Sequence, residues 1–372
     1  MNPTEIDISF IEKVGDTKSY QMSIPELFEH YNNVKFIHEK KRFLIEPYFD
    51  LIKSNWEQAL SIGKDILLTV IYKSPNFNHM ASVSIWRSTS NGWFAQHLTS
   101  TGITSGLVSV LLQAIYEGTI RKKNSLSCQN WYCPENKTVG KIYNTMVKTI
   151  GEDYSSNNRF EYIKVYPNIF LKNNNSSNVN IFQCTNKNNY NIYELCSSIR
   201  GKIYADAEEF NNNDIELIDI DEIYKKAGLR RRRYIWIAYY KGINRPVGAA
   251  ICYRGPLGMN FSFLENRCDL LIDEKKLSLS SCEKVSKQLL YNASMAYFDS
   301  DLSINYPLNF IPVITSSYIS RTLKKIGARH FRDYHQCICL EKGFLMYYNH
   351  IIDIFKGTVF RMKIKNKQTY NK

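Results

Sequence analysis

The sequence predicts an α/β chain of the α+β kind, made of two similar halves, each a mixed, mostly antiparallel sheet flanked by helices. Three observations lead there. Strand-like runs come in groups of three joined by short polar links, which favours antiparallel neighbours. Each group is followed by a long helical pattern, a strand, a helix and one more strand. This order occurs twice with almost no shared sequence, so the repeat is one of architecture at domain length and not a solenoid.

The elements follow in order. Helical patterns fill about 24–62, in SIPELFEHY, FIHEKKRFLIEPYFDLI and NWEQALSIG. Strand-like runs at 65–73, 81–89 and 92–100 come next, and Asn91-Gly92 is a strong hairpin signal. A helix is expected over 103–120, a strand over 125–133, a helix over 134–151 and a strand over 159–170. Residues 171–190 are rich in Asn, Ser and Lys and read as a linker holding one short strand, VNIFQCT. The second half then runs as helices over about 191–210 and DIDEIYKKAG, and strands 234–240, 246–254 and 260–273. It ends with a helix 278–298, a strand 308–314, a helix 316–327 and a strand 335–343. The expected divisions are 1–170, a linker 171–190, 191–355, and a basic tail 356–372.

Composition narrows the function classes. The chain has 372 residues and an apolar fraction of 44%, enough for two domain cores. No run approaches the length of a membrane span, and the N-terminus lacks an apolar signal core, so the expected compartment is the cytoplasm. The nine cysteines are scattered without a CxxC pair, the usage of a reducing compartment. No histidine spacing matches a zinc site, so no metal is expected. The net charge is +13, partly concentrated in Arg230–Arg233 and in a tail with five Lys, one Arg and no acid. Such a surface suits nucleic acid, an anionic membrane face or a phosphate-bearing cofactor; a solvated face plus a tail explains it as well. The Arg run abuts YIWIAYY, so it reads as leading into a strand. No nucleic-acid-binding motif accompanies it.

The stretch PENKTVGKIYNTM (134–146) carries Asn136 and Tyr143 seven residues apart, which a continuous helix would place on one face. The pair reads either as a polar holding site or as a first-turn amide followed by a core phenol. Together with the element order, Asn136, Val139, Tyr143 and Gly151 resemble the recurrent pattern of the GCN5-related N-acetyltransferase (GNAT) family. LKKIGARHF (323–331) is similar to that family's helix ending in the second half. The resemblance covers nearly the whole chain as two tandem GNAT-like domains. It implies an N-acyltransferase that takes acetyl-CoA or another acyl-CoA, or the thioester of an acidic acyl-carrier protein, and an amine-bearing acceptor, a small molecule or a peptide.

The same resemblance implies roles. Tyr143 is the acid that protonates the leaving thiolate, and Asn136 positions the co-substrate. The family's Q/R-x-x-G-x-G/A loop corresponds here to Ser100-Thr101-Gly102-Ile103-Thr104-Ser105-Gly106, where Thr101, Gly102, Thr104, Ser105 and Gly106 would face the pyrophosphate at a helix N-terminus. In the second half that place reads Asp273 to Ser281, with two carboxylates and no glycine. On the fourth strand of the family order, His97 is the titrating candidate for a base, or else a structural imidazole. In RGPLGMNFSFLENRCDLLID, Glu265 is placed to bind an amine or act as base, and Arg254, Asn266 and Arg267 to bind the acceptor; a salt-bridged strand is the competing reading. The degenerate loops also fit a non-catalytic GNAT-like module that binds a ligand and regulates a partner.

Overall fold

In a computed structural model, the described residues are 22–358 except 75–78, 103, 123, 170–177, 190 and 299–305. They divide into two compact units. The first holds residues up to Trp131, then Asn136–Asn157, and the chain from Cys337 on; the second holds Tyr132–Glu135 and Asn158–Gln336. The division thus differs from the expected break at 171–190: the chain from 337 on, expected with the second half, belongs to the first unit. Of the expected tail 356–372 only 356–358 is described.

In the first unit, helices α1 (Ile24–Asn33), α2 (Glu39–Ile45) and α3 (Phe49–Ile62) precede strands β1 (Leu67–Lys73), β2 (Met80–Arg87) and β3 (Gly92–Ser100). Helix α1 starts where Ser23 and Glu26 form a capping box, which satisfies two otherwise orphaned N–H groups. The three strands pair antiparallel, and the β2–β3 turn closes with Ser88 N–H donating to Gly92 O at 2.9 Å. Strand β2 is buried on both faces from Ala81 to Trp86, so it is sandwiched and not half-solvated. Helix α4 (Thr104–Ile115) lies against β1 and β2, and Gly106 allows that approach: a Cβ there would stand 2.7 Å from Tyr72 Cδ1. The expected helix 103–120 does not run through as α-helix. Its last turn, Tyr116–Ile120, widens to a π-helix in which the Thr119 hydroxyl donates to Ile115 O. Strand β4 (Ser127–Tyr132) follows, parallel to β3. The expected helix 134–151 is two short ones, α5 (Lys137–Tyr143) and α6 (Met146–Ile150). Strand β5 (Ser155–Val165) comes next.

In the second unit the strands run in the order β6 (Val179–Cys184), β7 (Arg232–Tyr240), β8 (Pro246–Arg254), β9 (Cys268–Ile272), β10 (Ile311–Thr315) and then β5. All pairs are antiparallel except β9–β10. Helices α7 (Ile192–Arg200) and α8 (Lys202–Ala207) break at Gly201, whose φ of 96° lies in the left-handed region. Helix α9 (Ile218–Lys225) precedes β7. Helix α10 (Leu279–Phe298) packs Val285, Leu289, Leu290 and Ala293 onto Ala250, Cys252, Leu270 and Ile272, the apolar centre of this unit. Helix α11 (Ser317–Lys325) begins at Ser316, whose hydroxyl accepts from Ile319 N–H at 3.2 Å. Strand β11 (Arg329–Leu340) and helix α12 (Phe344–Ile354) end the described chain. The expected strand 260–273 is confined to β9; residues 260–267 form a loop with a 3₁₀ turn at Leu264–Asn266. Four charged or amide side chains there consume backbone and side-chain partners that a ladder would need.

Candidate functional site

The first unit contains a place where parallel strands part. Strands β3 and β4 pair from Gly92–Ser127 to Ala95–Asn130 and no further. There β3 bulges: its register against β2 slips by one residue between Ser84–Gln96 and Ser82–Thr99, and His97 takes φ of 55°. A bulge re-aims side chains and terminates pairing. The Asn130 amide donates to Ala95 O at 2.8 Å, so a side chain completes the last rung.

His97 is 5% exposed and caged by rings. Trp56 stacks on it at 5.3 Å, and Tyr31 and Phe36 meet it edge-on at 5.6 and 5.3 Å. Burial pushes its imidazole well below the usual range, and the Lys41 charge adds to this, so it is neutral at neutral pH. A ladder of hydroxyls crosses β1, β2 and β3 beneath α1. His30 Nε2 meets Thr99 Oγ1 at 2.9 Å, Thr99 meets Ser82 Oγ at 2.8 Å, Tyr31 OH meets Ser84 Oγ at 3.4 Å, and Ser84 meets Thr69 Oγ1 at 3.1 Å. Burial lowers the His30 pKa to about 4. The sequence reading missed His30, Tyr31, Ser82, Ser84 and Thr99. The available signal was hydroxyls at alternate positions of ASVSIW, which share one strand face.

The loop after β3 combines different uses. The Thr101 backbone N–H donates to Met80 O and its hydroxyl accepts from Met80 N–H, both at 2.9 Å. Gly102 is exposed at φ 98° with open space where a Cβ would stand. Thr104 is exposed; Ser105 is half-buried, and its carbonyl accepts from Ser109 Oγ at 2.9 Å. Gly106 is buried in helix–strand packing, away from any role that needs exposure. Asn136 and Tyr143 do not share a helix face as expected. Asn136 precedes α5 and caps it, its side chain accepting from Val139 N–H at 3.1 Å in an exposed position. Tyr143 ends α5, 3% exposed, and its hydroxyl accepts from Tyr347 OH at 3.1 Å.

In the second unit, Glu265 is completely buried in the 3₁₀ turn. Its carboxylate accepts from Gly258 N–H at 2.6 Å, Asn260 N–H at 3.2 Å and Asn266 Nδ2 at 3.4 Å. Burial pushes its pKa up to about 7 against the pull of those N–H groups and of Arg231. Arg254, at the end of β8, donates to Ala296 O and lies 4.6 Å from the Tyr306 ring centre. Asn266 Oδ1 accepts from Gly255 N–H at 3.0 Å. Arg267 bonds Glu208 at 2.8 Å and Asp269 at 3.2 Å and covers the Tyr253 ring at 3.9 Å. Asp269 also accepts from Tyr204 OH at 2.7 Å and pairs with Arg200 at 3.1 Å. Burial alone would raise the Asp269 pKa; the two guanidinium groups bring it below the usual range. These contacts hold Asn266 and Arg267 in the frame of the loop and tie Arg254 to α10. At the mouth of β9, the Glu274 carboxylate accepts from the Ser316 hydroxyl, and Asp273 faces Arg245 at 3.5 Å.

The Arg run is absorbed locally. Arg230 and Arg232 face Asp221, Arg231 donates to Glu265 O at 2.7 Å, and Arg233 to Ile215 O and Glu208 O. Glu161, His330 and Asp333 bring their ligand atoms together, but Lys324 and Arg159 already neutralise the two carboxylates. No helix among the described residues is long and apolar enough to cross a membrane.

No family model and no curated protein matches the sequence. Among solved structures, a Drosophila protein superposes with a TM-score of 0.45 at 9% identity, covering 86% of this chain and 98% of its own. A GCN5-related N-acetyltransferase from Kribbella flavida gives 0.36 at 9%, covering 77% and 95%. Another from Sphaerobacter thermophilus gives 0.32 at 8%, covering 73% and 80%. At such identities and scores these similarities carry no argument about activity.

Proposed function

We propose that the chain is an N-acyltransferase with two tandem GNAT-like domains, and that its first unit receives the acyl thioester where β3 and β4 part. The observation that carries this reading is the bulge at His97, where parallel pairing stops and β3 leads through the exposed Gly102 into the N-terminus of α4. An acyl group needs an opening between strands, and a pyrophosphate needs free N–H groups at a helix start. The residues fit: no carboxylate stands in Ser100–Gly106, and Gly102 leaves room for close approach. In this reading Thr101, Gly102, Thr104 and Ser105 face the phosphates of acyl-CoA. Asn136 fixes the start of α5, Tyr143 supplies a proton to the departing thiolate, and water takes one from the amine, because the ring cage that holds His97 neutral leaves it too weak a base for that task. The donor is acyl-CoA or an acyl-carrier protein whose acidic surface suits a basic chain.

The test is thermal unfolding of the protein with CoA, acetyl-CoA and longer acyl-CoAs. Binding raises the melting temperature once ligand exceeds its dissociation constant. A shift that Gly102→Val abolishes supports the reading; no shift with any thioester removes CoA as donor. A second reading, a ligand-binding module without catalysis, is favoured by the burial of Tyr143 beneath Tyr347 and by the ring cage around His97. Tyr143→Phe separates the two: an enzyme loses turnover and keeps ligand, whereas a module shows no turnover to lose.

A further inference from the structure

Tyr162 and Lys164 stand two residues apart on β5, so their side chains leave the sheet on the same side. Tyr162 is completely buried, and its hydroxyl has no hydrogen-bond partner among the described residues. Its ring meets Phe331 edge-on at 4.8 Å and Tyr334 at 6.2 Å. Burial pushes its pKa well above the usual range. The ionisable groups that add to this are Tyr306, Tyr334, Glu265 and Tyr166, so the hydroxyl points in among them. Lys164 is half-buried. Its ammonium lies 4.5 Å from the ring centres of both Phe310 and Phe331, and no carboxylate among the described residues pairs with it. Burial lowers its pKa, as for an ammonium with no counter-charge at hand. The two groups thus flank one ring, Phe331. A buried hydroxyl and a half-buried ammonium without partners are both costly, and together they mark a place built to receive an acceptor.

The surroundings narrow what that acceptor is. Phe310 is buried, whereas Phe331, Tyr166 and Tyr306 are half-buried, so the ring walls reach solvent. The charges behind the rings are positive: Arg254 lies 4.6 Å from the Tyr306 ring centre and Arg329 5.4 Å from that of Tyr166. Glu265 is the acid of this group, and its carboxylate already accepts from the Gly258 and Asn260 N–H groups and from Asn266 Nδ2. A cation therefore meets an engaged carboxylate, while an anion meets two donors. One ammonium and one neutral hydroxyl balance a single negative charge, which favours a carboxylate over a phosphate dianion. Ring walls favour a flat apolar body.

We propose that this face of β5 binds a small carboxylic acid with an aromatic body: the Lys164 ammonium and the Tyr162 hydroxyl donate to its carboxylate, and the rings of Phe310 and Phe331 hold its body. The site lies wholly within the second unit and does not depend on acyl transfer in the first.

The experiment titrates the full chain by calorimetry with phenylacetate, benzylamine and inorganic phosphate, and follows thermal unfolding with each. Phenylacetate should bind and raise the melting temperature, and the other two should do neither. Lys164→Met and Tyr162→Phe should each weaken phenylacetate about tenfold, the loss expected for one hydrogen bond to a charged group. Without ligand, Tyr162→Phe should melt no lower than the wild type, because its hydroxyl has no bond to lose. A lower melting temperature for that variant would mean that a buried water already holds the hydroxyl, and would overturn the proposal. So would benzylamine or phosphate binding as tightly as phenylacetate, no binding of phenylacetate up to its solubility, or equal binding by Lys164→Met.

Discussion

Replacing Glu265 by Gln should change how stability depends on pH more than it changes stability at acid pH. The carboxyl is fully buried, and burial raises its pKa from 4.5 to about 7 in the folded chain. Between these values the folded state holds a proton that the unfolded state has released. Stability from this group is therefore fully present below 4.5 and is lost as pH rises through 7. A shift of that size, at 1.36 kcal/mol per pKa unit, corresponds to about 3 kcal/mol. Glu265→Gln stays neutral throughout and keeps one oxygen for the Gly258 N–H, so it escapes the loss. The assay is urea unfolding of both proteins at several pH values from 4.5 to 8. The difference between the two curves matters, because His30 titrates in the opposite sense: its pKa is lowered by burial, so its contribution is lost as pH falls. That term is common to both proteins and cancels. The expected outcome is a variant that gains on the wild type by about 3 kcal/mol across the interval. Parallel curves would refute the reasoning and place the Glu265 titration near its ordinary value.

Further outcomes follow from the same contacts. Arg267→Met leaves Glu208 and Asp269 buried without one of their guanidinium partners and should cost about 3–5 kcal/mol in urea unfolding, a loss under about 1 kcal/mol speaking against a tight cluster. Gly106→Ala forces a Cβ toward Tyr72 and should cost about 1–3 kcal/mol, while leaving any acyl-CoA-induced shift in place unless the loop also moves. Asn136→Ala removes the α5 cap and should lower stability by about 1 kcal/mol in thermal unfolding; no change would mean the cap is redundant.

Regular elements were legible where local chemistry and packing agree. The run 246–254 coincides with β8, Asn91-Gly92 makes the β2–β3 turn, and the hydroxyl of Ser316 opens α11 as its sequence signals. Expectations failed where a specific contact overrode the pattern. The run 260–267 alternates like a strand, but the Glu265 carboxylate collects N–H groups from Gly258 and Asn260 and winds the chain into a loop. The helix over 191–210 stops at Gly201, which the chain needs at positive φ. The site was harder to read because its partners are distant in sequence. His30 meets Thr99 across 69 positions, and no local pattern encodes that pair. Tyr143 was visible as a residue of interest, but its burial under Tyr347 depends on a helix 204 positions away.

The two units end their parallel strand pairs by the same device and then diverge. In the first, the Asn130 amide closes the Ala95 carbonyl; in the second, the Thr315 hydroxyl closes Leu270 O at 2.9 Å, one step past the Ile314–Asp269 pair. A side chain that completes the last rung satisfies a carbonyl which parted strands would otherwise leave exposed. What lies beyond differs. After β3 the chain offers Gly102 with open space around it and no carboxylate before α4. After β9 it offers Asp273 and Glu274, and the latter is engaged with Ser316 at the start of α11. To bind a pyrophosphate there the chain would have to give up the Glu274–Ser316 contact, while Asp273 already faces Arg245 at 3.5 Å and Lys276 at 3.9 Å. The segment after β3 therefore has no acid to displace, whereas the one after β9 holds the engaged carboxylate of Glu274. Glu274→Gly is the direct probe. If the carboxylates are what exclude an acyl-CoA, the double variant Asp273→Asn, Glu274→Gly should add a second binding event to a titration with acetyl-CoA, seen by calorimetry. A titration unchanged from the wild type would mean that the backbone of the second mouth, and not its charge, is closed to phosphate.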